Sequence, residues 1–143
     1  MGKMDIHDDP LRPVLLCAVR ELRSARTALA HLTKLDQMPE DMVLTAVTLG
    51  ERLRADDIFA MDEAEEEEML VFAERLGDLA RTHTEIRGSG GHGEYDEYYE
   101  TEVFSDTGFA MIQARSALNN VVEALSEVRC HLDAERIAEK LRT

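Results

Sequence analysis

Long apolar runs are missing from this chain. No uncharged stretch approaches the roughly 20 residues of a membrane-spanning helix, and near the start the run from Val14 to Val19 is closed by Arg20. No membrane association is therefore expected. Basic charge is also scarce, because 16 Lys and Arg stand against 30 Asp and Glu, for a formal net charge of −14. The field of such a molecule repels nucleic acid and anionic bilayers, which argues against direct nucleic-acid binding. Cysteine is limited to Cys17 and Cys130, both isolated within helical patterns, so buried free thiols are expected rather than a bridge. A secretory leader would open with basic residues, whereas Asp5, Asp8 and Asp9 come first here. The expectation is a cytoplasmic protein. With 44% hydrophobic and 32% charged residues in 143, the composition suits one folded domain, 1–143.

Catalytic signatures are absent too. Carboxylate di-metal bundles use Glu-x-x-His pairs, and none occurs. The stretch from Gly88 to Gly91 lacks the Gly-Lys-Ser/Thr ending of a phosphate loop, and neither cysteine has an activating base nearby in sequence. No cofactor is expected.

What the chain has is helical periodicity. Leu15, Ala18, Leu22, Ala25, Leu29 and Leu32 alternate steps of three and four and predict a helix near 11–36, ended ahead of Pro39. Met42, Ala46, Leu49 and Leu53 predict a second near 40–54. A break is expected between Ala55 and Asp62, since Asp62 and Glu65 have capping-box spacing. Met69, Phe72, Leu76, Leu79, His83 and Ile86 then predict a third helix near 60–87, with His83 on its apolar seam. A Gly-rich acidic loop follows at 88–105, with a short extended piece from Tyr98 to Phe104. Ser105, Asp106 or Thr107 would cap a fourth helix near 106–141, whose seam runs from Met111 through Leu118 and Val121 to Leu132. These elements predict an all-α protein, an antiparallel four-helix bundle. At about 1.5 Å per residue the fourth helix would span roughly 54 Å, more than a compact domain of this size covers. Its late apolar residues, Leu132, Ile137 and Leu141, therefore suggest a homodimer contact.

The negative charge is concentrated. From Ala55 to Thr107 there are 17 acids and three bases, a balance of −14, while the remainder has 13 of each. All three tyrosines, Tyr95, Tyr98 and Tyr99, stand among Glu94, Asp96, Glu97, Glu100 and Glu102. Tyrosine gives stiff amphipathic contact area, and the carboxylates would steer a basic protein partner. The chemistry of Asp96-Glu97-Tyr98-Tyr99 resembles the acid-plus-Tyr-Tyr surface of colicin-type immunity proteins. The leading expectation is a non-enzymatic binding or regulatory protein with an inhibitor, antitoxin or immunity-like role.

Two alternatives come from a different class. Glu74-Arg75-Leu76-Gly77-Asp78 resembles, over five residues, the acid-Leu-Gly-Asp turn of the all-α MazG-like nucleotide pyrophosphohydrolases, with Arg75 where that family carries Glu. That resemblance implies a metal-dependent hydrolase or metal-binding bundle, with Glu66, Asp78 and His83 as its weak metal candidates. A helical assembly or adaptor subunit is the other alternative.

Overall fold

The computed structural model describes residues 10–53, 62–89 and 99–142. Its elements are α1 (Leu11–Leu32), α2 (Glu40–Arg52), α3 (Glu63–Ala80), β1 (Thr84–Ser89), β2 (Tyr99–Phe104) and α4 (Asp106–Arg142). The protein is mostly helical, with one small two-stranded sheet among the described residues.

The helices bury most of the seam residues that their spacing sets out. Leu22, Leu29 and Leu32 of α1, Phe72 and Leu76 of α3, and Met111, Leu118 and Val121 of α4 form one core with Leu53 and Met69. Helix α4 packs along both α1 and α3, while α2 packs on α1. Ala18 and Ala25 on α1 and Ala114 on α4 are fully buried, and their small side chains keep the inter-helix spacing short.

The helix boundaries differ from expectation where local hydrogen bonds compete with the helix. Helix α1 stops at Leu32, not near 36, because the Thr33 hydroxyl donates to the Ala30 carbonyl at 2.7 Å. The N–H groups of Lys34 and Leu35 then bond three residues back, which tightens the last turn. Helix α2 ends at Arg52, and Asp62 opens α3 by accepting the Glu65 N–H on Oδ1 at 2.9 Å. The expected break between Ala55 and Asp62 otherwise falls on residues outside the described set.

The third helix is seven residues shorter than its expected end at 87, since it stops at Ala80. His83 is accordingly in a turn and not on a helical seam, with its N–H donating to the Ala80 carbonyl at 3.0 Å. Residues 84–89 form β1, paired antiparallel with β2 so that Thr84 faces Phe104 and Ile86 faces Glu102. β-Branched Thr84 and Ile86 favour the pleated chain, and the Thr82 hydroxyl turns back to the Leu79 carbonyl at 2.7 Å. Ile86, expected on the seam, is 69% exposed. The expected loop at 88–105 thus loses its two ends to the hairpin, whose second strand, Tyr99–Phe104, covers the anticipated extended piece except for Tyr98, which lies outside the described residues.

Ser105 caps α4. Its Oγ accepts the Gly108 N–H at 3.2 Å and donates to the His83 carbonyl at 3.0 Å, so one hydroxyl joins the turn after α3 to the start of α4. Gly108 is needed at this junction, because a Cβ there would lie 2.4 Å from the His83 carbonyl oxygen. From that start α4 runs 37 residues, or roughly 55 Å at about 1.5 Å per residue. Its last buried residue is Val128. Leu132 packs half-buried on the core, while Ile137 and Leu141 are 59% and 83% exposed.

Cys17 and Cys130 are free, but neither is buried as expected: Cys17 is half-buried and Cys130 exposed. No helix among the described residues is long and apolar enough to cross a membrane.

Candidate functional site

The anticipated tyrosine and carboxylate surface is covered only at its end. Glu94, Tyr95, Asp96, Glu97 and Tyr98 lie outside the described residues, while Tyr99, Glu100 and Glu102 belong to β2. Glu102 accepts the Thr84 hydroxyl on Oε1 at 2.6 Å, a cross-strand bond within the hairpin. Glu100 is exposed, opposite Gly88. On the neighbouring strand Arg87 pairs with Glu85 at 2.6 Å.

The metal candidates are not brought together. Glu66 is the one buried charged side chain among the described residues, at 4% exposure, and it faces Arg129 of α4. The guanidinium grips both carboxylate oxygens at 2.5 and 2.6 Å, in a bidentate pair that occupies the lone pairs a cation would use. Its hydrogen bonds to Glu66, and the further negative charge of Glu63, raise the Arg129 pKa above its ordinary value despite partial burial. Asp78 stands 12 residues along α3, about 18 Å from Glu66 at about 1.5 Å per residue, and faces Arg81 at 3.5 Å. His83 lies in the turn beyond the helix. Gly77, within the Leu-Gly-Asp stretch, is overlaid by Arg115, whose guanidinium would be 3.1 Å from an added Cβ.

A different surface emerges between α2 and α3. These helices are anchored to α1 and α4 respectively, and between them an open groove of about 670 Å³ remains. Phe72 and Leu49 form its buried floor, and Leu44 and Val71, at 64% and 52% exposure, line its upper walls. Thr45 and Thr48 also line it, yet their hydroxyls donate to the Asp41 and Leu44 carbonyls at 2.9 Å. With those hydroxyls turned back onto the helix, the threonines offer the groove mainly methyl groups.

Ion pairs bridge the groove near either end. Arg75 of α3 reaches Asp41 of α2 at 2.7 Å, and Arg52 of α2 reaches Glu68 of α3 at 2.7 Å. The Arg75 hydrogen bond and charge hold the Asp41 carboxyl below its ordinary pKa. All four side chains are substantially exposed, so the pairs add little stability and are open to exchange with other ions. Helix α3 carries seven acids between Glu63 and Asp78 against Arg75 alone, but only Glu67 and Glu68 of these line the groove, together with Arg52 and Arg75. Glu67 lines the groove and makes no ion pair among the described residues.

A second groove, of about 1180 Å³, lies between α1 and α4, with exposed Leu16 and Phe109 and with Arg20 and Arg23 along its α1 side. Glu21 lines it as well. Sequence reasoning missed both grooves because it followed the seams. The available signal was the apolar surplus off the seam: Leu44 and Val47 on α2, Leu70 and Val71 on α3, and Leu16 on α1.

Comparison with protein-family models, with curated protein sequences and with solved structures finds no match, so the functional reading rests on geometry and charge.

Proposed function

We propose that this chain is a non-enzymatic binding or regulatory protein that engages a basic protein partner, as an inhibitor, antitoxin or immunity-like protein would. The observation that carries the reading is the open, largely apolar groove between α2 and α3, with Glu67 and Glu68 of the acid-rich α3 in its lining. Of the four successive glutamates from Glu65 to Glu68, Glu66 is held by Arg129 and Glu68 by Arg52, and Glu67 is the groove carboxylate with no ion pair among the described residues. Apolar floor and lining carboxylates together support a partner surface that is both basic and partly hydrophobic. The helices are read as an antiparallel bundle, which the crossed order of the ion pairs supports: Asp41 with Arg75, Arg52 with Glu68.

The reading includes a homodimer built on the end of α4. From Arg129 to Arg142 there are four bases and three acids, so this segment adds nothing to the repulsion between two acidic molecules. Ile137 and Leu141 supply the exposed apolar contact. The hydrolase alternative finds less support, since Glu66 is already held by Arg129 and Arg75 by Asp41.

The test is affinity capture from the native host, comparing wild type with the double variant Glu67→Lys and Glu68→Lys, followed by mass spectrometry. The reading expects basic proteins retained by wild type and lost by the variant at unchanged helix content. Nucleotide turnover with Mg²⁺ by the wild type, abolished in Asp78→Asn, would replace it with the hydrolase reading.

A further inference from the structure

We infer that two copies of this chain pair through the last three turns of α4, antiparallel and in one fixed register, an arrangement that rests on the dimer reading above. Beyond Val128 the helix turns an apolar stripe outward: Cys130, Ala134, Ile137 and Leu141 recur in steps of four, three and four, and all are exposed. Leu132, packed half-buried on the core, stands on the opposite side of the same helix, so the stripe looks away from the other helices. Upstream, the same outer face carries Asn119, Glu123 and Ser126. An outward apolar stripe that begins only at Cys130 marks a contact of limited length, about 16 Å to Leu141.

The stripe is complementary to its own reversal. Read along the helix, its side chains run small, small, large, large. Antiparallel pairing about a two-fold axis between Glu135 and Arg136 sets Cys130 against Leu141 of the second copy and Ala134 against Ile137, so every layer holds one small and one large side chain. Parallel pairing would set Cys130 on Cys130 and Ala134 on Ala134, two layers too thin to fill the spacing that Ile137 and Leu141 impose on the next two.

Charge selects the same arrangement. In this register Asp133 of one copy comes beside Lys140 of the other, whose ammonium has three donors, and the two-fold axis repeats the pair. Parallel pairing would set Asp133 beside Ala138 instead. The basic last turn, with Lys140 and Arg142, also reaches the level of Arg129 on the other copy, where Glu63 and Glu66 lie close by. The net charge of −14 weighs most: it resides between Ala55 and Thr107, and parallel tails would bring those segments side by side, whereas antiparallel tails hold the two bodies at opposite ends of the contact.

The test is cross-linking by position. On a Cys17→Ser background, one protein keeps Cys130 alone, a second combines Cys130→Ser with Leu141→Cys, and a third adds Leu141→Cys to Cys130, all at exposed positions. The two sites are about 16 Å apart on one helix, so a bismaleimide of about half that reach should link two chains only in the third protein. Charge reversal reads the same register without new cysteines: Asp133→Lys should weaken the dimer at least about fivefold in a dilution series, and adding Lys140→Asp should return it to within about twofold of wild type at unchanged helix content. Linking through either single cysteine, no link in the third protein while it remains dimeric, or no recovery in the double reversal would overturn the antiparallel register and leave the dimer standing. A monomer mass that persists on concentration would overturn the two together.

Discussion

At the scale of single residues, Glu66 is the one buried charge among the described residues, and Arg129 is its partner. Removing one member of a buried pair leaves the other uncompensated, so Arg129→Ala should lower unfolding stability by about 3 kcal/mol, at the low end of the usual range because the arginine is 39% exposed. Replacing both members with leucine should restore most of that loss in a denaturant titration. A second expectation concerns Asp41, whose carboxyl is held below 3.8 by Arg75. A depressed carboxyl pKa adds stability above the unfolded value and loses it as pH falls through the folded one, so this contribution fades below about pH 4. An NMR titration should place the Asp41 pKa lower in wild type than in Arg75→Ala. Neither pair was legible in the sequence. Glu66 and Arg129 are 63 positions apart, and only the packing of α3 on α4 makes them neighbours.

At the scale of elements, the junction between the hairpin and α4 is the most constrained. Gly108→Ala forces a Cβ against the His83 carbonyl and should destabilise by about 2 kcal/mol or more, with Ser105→Ala costing about 1 kcal/mol through the lost cap. Thermal unfolding measures both. A Gly108→Ala protein as stable as wild type would show that the close approach is relaxed in solution. The seams of α1, α2 and α4 were readable because burial of one face leaves a three-and-four spacing that few other constraints can produce. The end of α3 was not, since Leu79, His83 and Ile86 keep that spacing while Thr82 and Thr84 take the chain into a turn and a strand. Periodicity measures which residues are apolar and does not register a hydroxyl competing for a carbonyl. The groove escaped for a related reason, as Leu44 and Val71 obey no seam and gain meaning only when α2 and α3 are set side by side.

At the scale of the whole molecule, charge and shape divide the surface into two territories. The proposed reading assigns the α3 face with its groove to a basic partner and the near-neutral end of α4 to a second copy. Light scattering should report about twice 16.1 kDa at micromolar concentration, and Ile137→Glu should shift it toward the monomer without changing helix content. A monomer mass that persists on concentration would remove the dimer. The central claim, recognition of a basic protein through the acidic face, is tested most directly by the rate of association with the captured partner as salt is raised from about 0.05 to about 0.5 M. Long-range attraction is screened over this range while close apolar contacts are not, so the association rate should fall about tenfold or more and the dissociation rate should change little. An association rate indifferent to salt would contradict the account.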